Sequence, residues 1–361
     1  MDVMHVVGNR PQFIKLSPVS RELRKRGIQE TIIHTGQHYD TNLSEIFFEE
    51  LGIPMPARNL DVGSGSHAQV TGTVMIKAEE IMKEFAPKCI VVYGDTNSTL
   101  AASLAAAKLC IPLIHVEAGP RTYNKMNPEE CNRVVVDHIA DYLCAPDKIS
   151  VKNLIKEGIC REKVFFTGDV MYDEFLYCLS DSQKDTALYT YTGGYILMTW
   201  HRQENTCSRE RMKKIIDFIE KIDYKIILPL HPRTKKFLEL YRLEERINKI
   251  PSLEIIQPVG YIEMAHLLNN CKLLISDSGG ASKEASFVGK KCIYMLDLNI
   301  WPELTESGYI QLINLDDEKM AEKNLYEIKN ILSNGKDLSK SGFFGDGNAA
   351  GRIVDIIEKI I

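Results

Sequence analysis

Short runs of Val, Ile and Leu alternate along the chain with longer stretches of helical periodicity. In the first half the runs are MHVVG, TIIHTG, CIVVYGD, PLIHVEAG, YLCAP and VFFTGD; in the second they are YILMTW, KIILPLH, LEIIQP, KLLISDSGG and KCIYML. Unbroken apolar runs of this kind bury both faces, which is how parallel strands covered by helices read. The alternation predicts an α/β protein made of two doubly wound, Rossmann-like domains. Between the two sets, SDSQKDTALYTYTGG at 180–194 is polar, turn-rich and without helical periodicity. The expected organisation is therefore an N-terminal domain over 1–180, a linker at 181–194 and a C-terminal domain over 195–345. The last segment, GNAAGRIVDIIEKII, has the spacing of an amphipathic helix over 346–361 that packs back on the N-terminal domain.

Composition narrows the function classes. A chain of 361 residues exceeds one ordinary core, and 44% hydrophobic with 26% charged residues describes an ordered protein. The formal charge of -5 argues against a nucleic-acid partner, so an acidic ligand has to be met by a few placed residues. The nine cysteines are scattered without a CxxC pair, which suggests neither a disulfide framework nor a zinc site and fits the cytoplasm. No apolar run approaches the roughly 18 residues of a membrane span, and the opening MDVMHVVGNR turns into a strand too short for a secretory segment.

In doubly wound folds ligands bind beyond the carboxyl ends of the strands where strand order reverses, and in a two-domain protein the cleft between domains is the expected site. Four polar clusters follow expected strands. In VVGNRPQFIK, Arg10 and Lys15 lie at a helix start beside backbone N–H groups, a good setting for phosphate, although solvated surface charges read the same way. This is not GxGxxG, so nothing argues for NAD. In ISDSGGASKEASFVGKKC, Ser278, Gly279 and Gly280 bring backbone amides to a helix N-terminus, and Glu284 one turn later is placed to accept hydrogen bonds from a ribose; a plain serine cap is the alternative.

The third cluster is a set of carboxylates: Asp95 in VVYGDTNST, Glu117 in HVEAG and Glu129 in NPEECNR. An acid at the end of a buried strand is costly unless paired or functional. Asp95 is also placed to cap the helix expected at 98–109, and Glu129 sits in a first helical turn that favours an acid, so Glu117 is the hardest to explain structurally. The fourth cluster pairs MTWHRQEN with ILPLHPRT, placing His201, Arg202 and Glu204 after one strand and His231 and Arg233 after the next. His34 and His38 have metal-like spacing but no third ligand, so no metal is expected.

With these clusters in order, the chain resembles the non-hydrolysing UDP-N-acetylglucosamine 2-epimerase family, of GT-B fold, almost from end to end. The motifs that carry the resemblance are GNRPQFIK, HTGQHYD, YGDTNSTLA, HVEAGPRT, PEECNR, HRQEN, LHPRT and DSGGASKEA. The resemblance implies inversion at C2 of a UDP-linked 2-acetamido sugar without NAD or metal. UDP leaves to give a 2-acetamidoglycal, stays bound, and is added back after a proton arrives from the other face. It implies Asp95, Glu117, Glu129 and His201 as catalytic residues. Arg10, Lys15, Arg121, Arg133, Arg202, Glu204, His231, Ser278, Gly279, Gly280 and Glu284 would hold the substrate. A cytoplasmic homodimer is the implied assembly. A base with a raised pKa, desolvated by domain closure, is the expected means of taking a proton from weakly acidic C2.

The departures concern substrate. Where the family reads RDxTERPE this chain has LDLNIWPE, with Leu296 at the first arginine and Asn299, Ile300 and Trp301 at Thr-Glu-Arg. The RPQFIK start and the tryptophan are similar to the branch acting on UDP-2,3-diacetamido-2,3-dideoxy-glucuronic acid. That branch keeps the acid that is Ile300 here, and Pro120 replaces the usual leucine. The turn GQHYD has Asp40 where an allosteric site of some members has glutamine. A hydrolysing 2-epimerase, a GT-B glycosyltransferase and an inactive UDP-sugar-binding protein are the competing readings.

Overall fold

The computed structural model describes residues 1–36, 48–180, 191, 194–296, 301–334 and 337–361. Most of the expected linker at 181–194, the GQHYD turn beyond Gly36 and positions 297–300 of LDLNIWPE lie outside these described residues. The chain divides into two compact units, Met1–Leu176 with Phe343–Ile361, and Tyr177–Gly342.

The first unit contains a parallel sheet of β1 (Val3–Val7), β2 (Glu30–His34), β3 (Arg58–Asn59), β4 (Cys89–Tyr93), β5 (Leu113–Val116), β6 (Tyr142–Ala145) and β7 (Val164–Phe166). Its order is β3-β2-β1-β4-β5-β6-β7. The order reverses between β1 and β4, where Val3 pairs with Cys89 and His5 with Val91. The second unit holds β8 (Ile196–Thr199), β9 (Ile226–Pro229), β10 (Leu253–Ile256), β11 (Leu273–Ser276), β12 (Cys292–Tyr294) and β13 (Ile310–Leu312) in the order β10-β9-β8-β11-β12-β13. Its reversal lies between β8 and β11.

Every residue of β1, β4, β5, β8, β9 and β11 is buried, the expected consequence of helices on both faces. The helix Asn97–Lys108 is rich in alanine, and its Ala101, Ala102, Ala105 and Ala106 pack at 0–1% exposure into the first unit's core. Small side chains let its backbone approach the sheet closely, which brings the turn before it, Gly94 to Thr96, over the ends of β1 and β5. The second core is bulkier, with Trp200, Met212, Ile216, Leu228 and Met295 among its buried members.

The segment after β7 and the returning chain at 343–349 meet within the first unit. Gly168 and Gly345 both have positive φ, and a Cβ on Gly345 would lie 3.0 Å from the Cα of Gly168. The helix Ala349–Glu358 then packs on the helix Arg10–Lys25, where Arg26 pairs with Asp355 at 2.7 Å and Glu358 at 3.0 Å. Asp173 accepts hydrogen bonds from the N–H groups of Ala349 and Ala350 and so starts that last helix.

Candidate active site

In the first unit, the polar residues predicted from sequence gather beyond β1, β4 and β5. Asn9 caps the helix Arg10–Lys25 by accepting from the N–H of Gln12, with Pro11 in the first turn. Arg10 is exposed at this helix start, whereas Lys15 one turn further is 8% exposed and its ammonium pairs with the carboxylate of Glu117. The pair lies against Gly94, whose φ is +63°; a Cβ there would fall 3.0 Å from Lys15 Nζ and 3.4 Å from Glu117 Oε2. Glycine is required for both the backbone turn and the space.

Glu117 itself has φ +71°, the left-handed region in which a side chain of this kind costs of order 1–3 kcal/mol. Such strain persists only where the surroundings over-determine it. The N–H groups of Glu117 and Ala118 both reach the Cys144 carbonyl at 3.1 Å, and Gly94 N–H donates to the Val116 carbonyl at 2.9 Å. The ends of β4, β5 and β6 are thus tied together at the glutamate.

Asp95 does not cap the following helix; Thr96 does, accepting from the N–H of Thr99. The Asp95 carboxylate instead pairs with Arg133 at 2.5 Å. Arg133 also donates to Glu130 at 2.9 Å. Burial works against its charge, but Asp95, Glu130 and Glu117 outweigh this and hold its pKa above the ordinary arginine value. Glu117 and Asp95 therefore share one electrostatic environment, each with a cation in contact. Glu129 lies partly exposed in the first turn of the helix Pro128–Ile139.

In the second unit, Ser278 caps the helix Gly279–Phe287 by accepting from the N–H of Ala281, leaving Gly279 and Gly280 in a first turn whose N–H groups have no acceptor within the helix. Asp277, fully buried, accepts from the N–H groups of His201 at 3.0 Å and Arg202 at 2.9 Å and from Asn205 at 3.2 Å. It fixes the loop after β8 beside the glycine turn. The rings of His201 and His231 lie 5.1 Å apart. His231 Nδ1 accepts from the N–H of Arg233 as a helix cap, so any proton on that neutral ring sits on Nε2. Glu284 is buried and accepts from the Tyr261 hydroxyl at 3.0 Å. The indole N–H of Trp301 donates to the Gly279 carbonyl at 2.9 Å, and its ring lies 5.0 Å from Lys283 Nζ. This arrangement suits an anion at the glycine turn.

A family described as UDP-N-acetylglucosamine 2-epimerase matches residues 21–358. The chain belongs to that family. A UDP-N-acetylglucosamine 2-epimerase homolog of Methanococcus maripaludis is 44% identical over 365 residues, covering 100% of both chains. The UDP-2,3-diacetamido-2,3-dideoxy-D-glucuronate 2-epimerase of Pseudomonas aeruginosa is 39% identical over 367 residues, again covering 100% of both. The crystal structure of the Methanocaldococcus jannaschii UDP-GlcNAc 2-epimerase with UDP-GlcNAc and UDP gives a TM-score of 0.85 at 38% identity, covering 99% of this chain and 100% of that one. The two doubly wound units are those of the GT-B type seen in these epimerases.

Several of the expected site residues have partners or exposures in the structure that the sequence does not show. Lys15, expected with Arg10 at a phosphate, joins the carboxylates, because the helix that carries it turns its inward face over Gly94. Arg121, expected at the substrate, has a fully buried guanidinium that pairs with Asp137 and Glu157, each at 2.7 Å. Burial opposes its charge, and these acids more than compensate, raising its pKa. Arg202 and Glu204 are exposed in the first turn after β8. Among the described residues no group of three or more His, Cys, Asp or Glu is placed to hold a metal, and no helix is long and apolar enough to cross a membrane.

Sequence reasoning passed over Glu130, Asp137, Gln12 and Asp277. Glu130 accepts from the N–H groups of Thr122 and Tyr123 and from the Thr122 hydroxyl, all at 2.9 Å, and folds the loop between β5 and the next helix. Burial pushes its carboxyl up, but these donors and Arg133 bring it below the ordinary glutamate range. A helical wheel would have flagged it: Glu130, Arg133 and Asp137 share one face.

Proposed function

We propose that the chain inverts C2 of a UDP-linked 2-acetamido sugar by eliminating UDP to a 2-acetamidoglycal and adding it back. The observation that carries this reading is the meeting of Asp95 and Glu117, with Arg133 and Lys15, beyond the adjacent strands β4 and β5. Removing a proton from one face of a carbon and returning one to the other calls for two proton-handling groups, and two carboxylates with separate partners supply them. Anti-elimination is balanced without an oxidant: C2 loses a proton, the C1–O bond breaks, and its electron pair leaves on the diphosphate. In the second unit the glycine turn at Gly279 and Gly280, beside the loop that carries His201, is suited to that developing charge and to holding UDP for the return step; in the first unit Arg10, at a helix start, is a cation suited to phosphate. Glu129 assists or orients, and Glu284 serves the ribose. The enzyme acts in the cytoplasm, where nucleotide sugars are made, and as a homodimer like the assembly implied by family resemblance.

Proton NMR of the protein with UDP-N-acetylglucosamine in D2O tests the proposal. Deuterium at C2 with UDP-N-acetylmannosamine accumulating supports the epimerase; free N-acetylmannosamine would mean hydrolysis, and no exchange with any UDP-2-acetamido sugar would overturn the reading.

Trp301 favours a second substrate, a UDP-diacetamido uronate, because an indole occupies the glycine turn where the family usually has arginine. Replacing Ile300 by Glu and Trp301 by Arg should then shift relative rates toward UDP-N-acetylglucosamine. Unchanged relative rates would leave the loop a structural element.

A further inference from the structure

Asp137 lies on the buried face of the helix Pro128–Ile139 and is 1% exposed. Its Oδ1 accepts from His115 Nδ1 at 2.6 Å; its Oδ2 accepts from the N–H of Gly119 at 3.1 Å and from the Arg121 guanidinium at 2.7 Å. On the other side of the ring, His115 Nε2 donates to the Gly94 carbonyl at 2.8 Å, since a carbonyl can only accept. One carboxylate thus grips residue 115 before Glu117 and residues 119 and 121 after it. Through His115 the same grip extends to the peptide that precedes Asp95. Gly119 is pinned on its far side as well, with φ +95° and a Cβ position only 2.5 Å from the Ser150 carbonyl oxygen.

We propose that Asp137 is a positioning residue: by clamping both flanks of residues 115–121 from the neighbouring helix, it holds Glu117 in its left-handed conformation and aims its carboxylate at Lys15 and the reacting carbon. The inference rests on the reading of Glu117 as a proton-handling group. A stretch of seven residues with both ends fixed has few backbone solutions, and the observed one puts the single acid within it at φ +71°. The clamp is self-consistent electrostatically. Burial alone would raise the Asp137 carboxyl, but His115 and then Arg121 outweigh it and keep it below its ordinary value, so the carboxylate stays an acceptor for all its donors. Arg121 is anchored in turn by Glu157 at the surface end of the chain of contacts.

The variants Asp137→Asn and His115→Gln test this with three readouts: kcat and KM for C2 epimerisation, UDP binding, and the φ of residue 117 in a crystal structure. Asp137→Asn should lower kcat by about tenfold or more while KM and UDP binding stay within about threefold, because the loss is one of aim and not of affinity. Residue 117 should leave the left-handed region. Unchanged kcat with φ still positive would overturn the proposal, as would equal losses of kcat and UDP binding in step with the folded fraction, the mark of a merely structural ion pair. Should Asp137→Asn not fold, His115→Gln, which keeps a donor for Gly94 and loses the Asp137 contact, is read by the same criteria. If the unmodified protein exchanges no C2 proton in any UDP-2-acetamido sugar, the functional reading fails, and the backbone of residue 117 in either variant still decides whether the clamp exists.

Discussion

Replacing Gly94 by alanine should damage turnover far more than stability. Two effects act at this position. Alanine at φ +63° costs about 1–2 kcal/mol relative to glycine, because its Cβ crowds the carbonyl that follows. The same Cβ would stand 3.0 Å from Lys15 Nζ and 3.4 Å from Glu117 Oε2, so the ion pair has to give by a few tenths of an ångström. A lysine end can move, but this one is buried beside a glutamate whose backbone is already strained, and any retreat turns the carboxylate with it. Misplacement of a reacting group by about 1 Å can cost about 10²-fold, so a loss of roughly ten- to a hundredfold in kcat is expected. The stability cost corresponds to a fall in Tm of a few degrees, about 2–4 °C per kcal/mol for a unit of this size. The assay is initial-rate epimerisation by NMR beside thermal unfolding of the same sample. Full activity in Gly94→Ala, with the expected fall in Tm, would refute the claim that the Lys15–Glu117 geometry limits turnover.

Glu117→Gln should abolish C2 exchange while nearly sparing UDP affinity by calorimetry; a large loss of UDP binding would move Glu117 to the nucleotide. Arg10→Ala should weaken UDP by about 1.5–3 kcal/mol, the range of a charge-assisted hydrogen bond, and unchanged binding would remove Arg10 from the diphosphate. Burial pushes the Asp173 carboxyl up from 3.8 to about 6 despite the two helix N–H groups it accepts from. The folded state then retains a proton that the unfolded chain has lost between these values, so this group's contribution to stability declines as pH rises from about 4 to 6 and is lowest above that. Asp173→Asn should therefore gain on the unmodified protein across that window, by up to about 3 kcal/mol in denaturant titrations at pH 4 and pH 7. A difference that does not vary with pH would show that the carboxyl is not buried as described.

Much of the fold is legible because buried parallel strands write themselves as apolar runs. Each of the eleven runs singled out in the sequence coincides with a strand of the structure to within one residue at its start or contains it whole. Among the described residues, the two strands passed over are the edge strand β3, just Arg58 and Asn59 and both exposed, and β13, the three residues Ile310–Leu312. A two-residue polar edge has neither period nor apolar content to read. The candidate site was partly legible for a related reason. Glu117 stands out because it ends an apolar run, which is a local anomaly. Lys15 reads as a phosphate cation because a cation at a helix start looks the same whether it faces solvent, phosphate or an internal acid, and Arg121 is placed at the substrate by the resemblance alone. What separates them is the partner: Glu117 is 102 positions from Lys15, and Glu157 is 36 from Arg121. That partner is set by strand order.

Strand order also explains residues that carry no anomaly at all. Where a doubly wound sheet reverses, the connections on either side run away from each other, and the two loop ends at the crevice lose the neighbours they have elsewhere. In the first unit a single buried side chain, Gln12, closes this gap. Its carbonyl accepts from the N–H of Gly8 after β1 at 2.7 Å, and its amide donates to the Tyr93 carbonyl at the end of β4 at 2.8 Å and to Thr99 at 2.9 Å. In the second unit Asp277, after β11, does the same for the loop after β8 through His201, Arg202 and Asn205. The two residues differ in type, in sequence context and in which side of the reversal they come from. Each nevertheless fixes the backbone from which the neighbouring polar residues project, so a change at Gln12 or Asp277 should be felt at those residues before it is felt in the core.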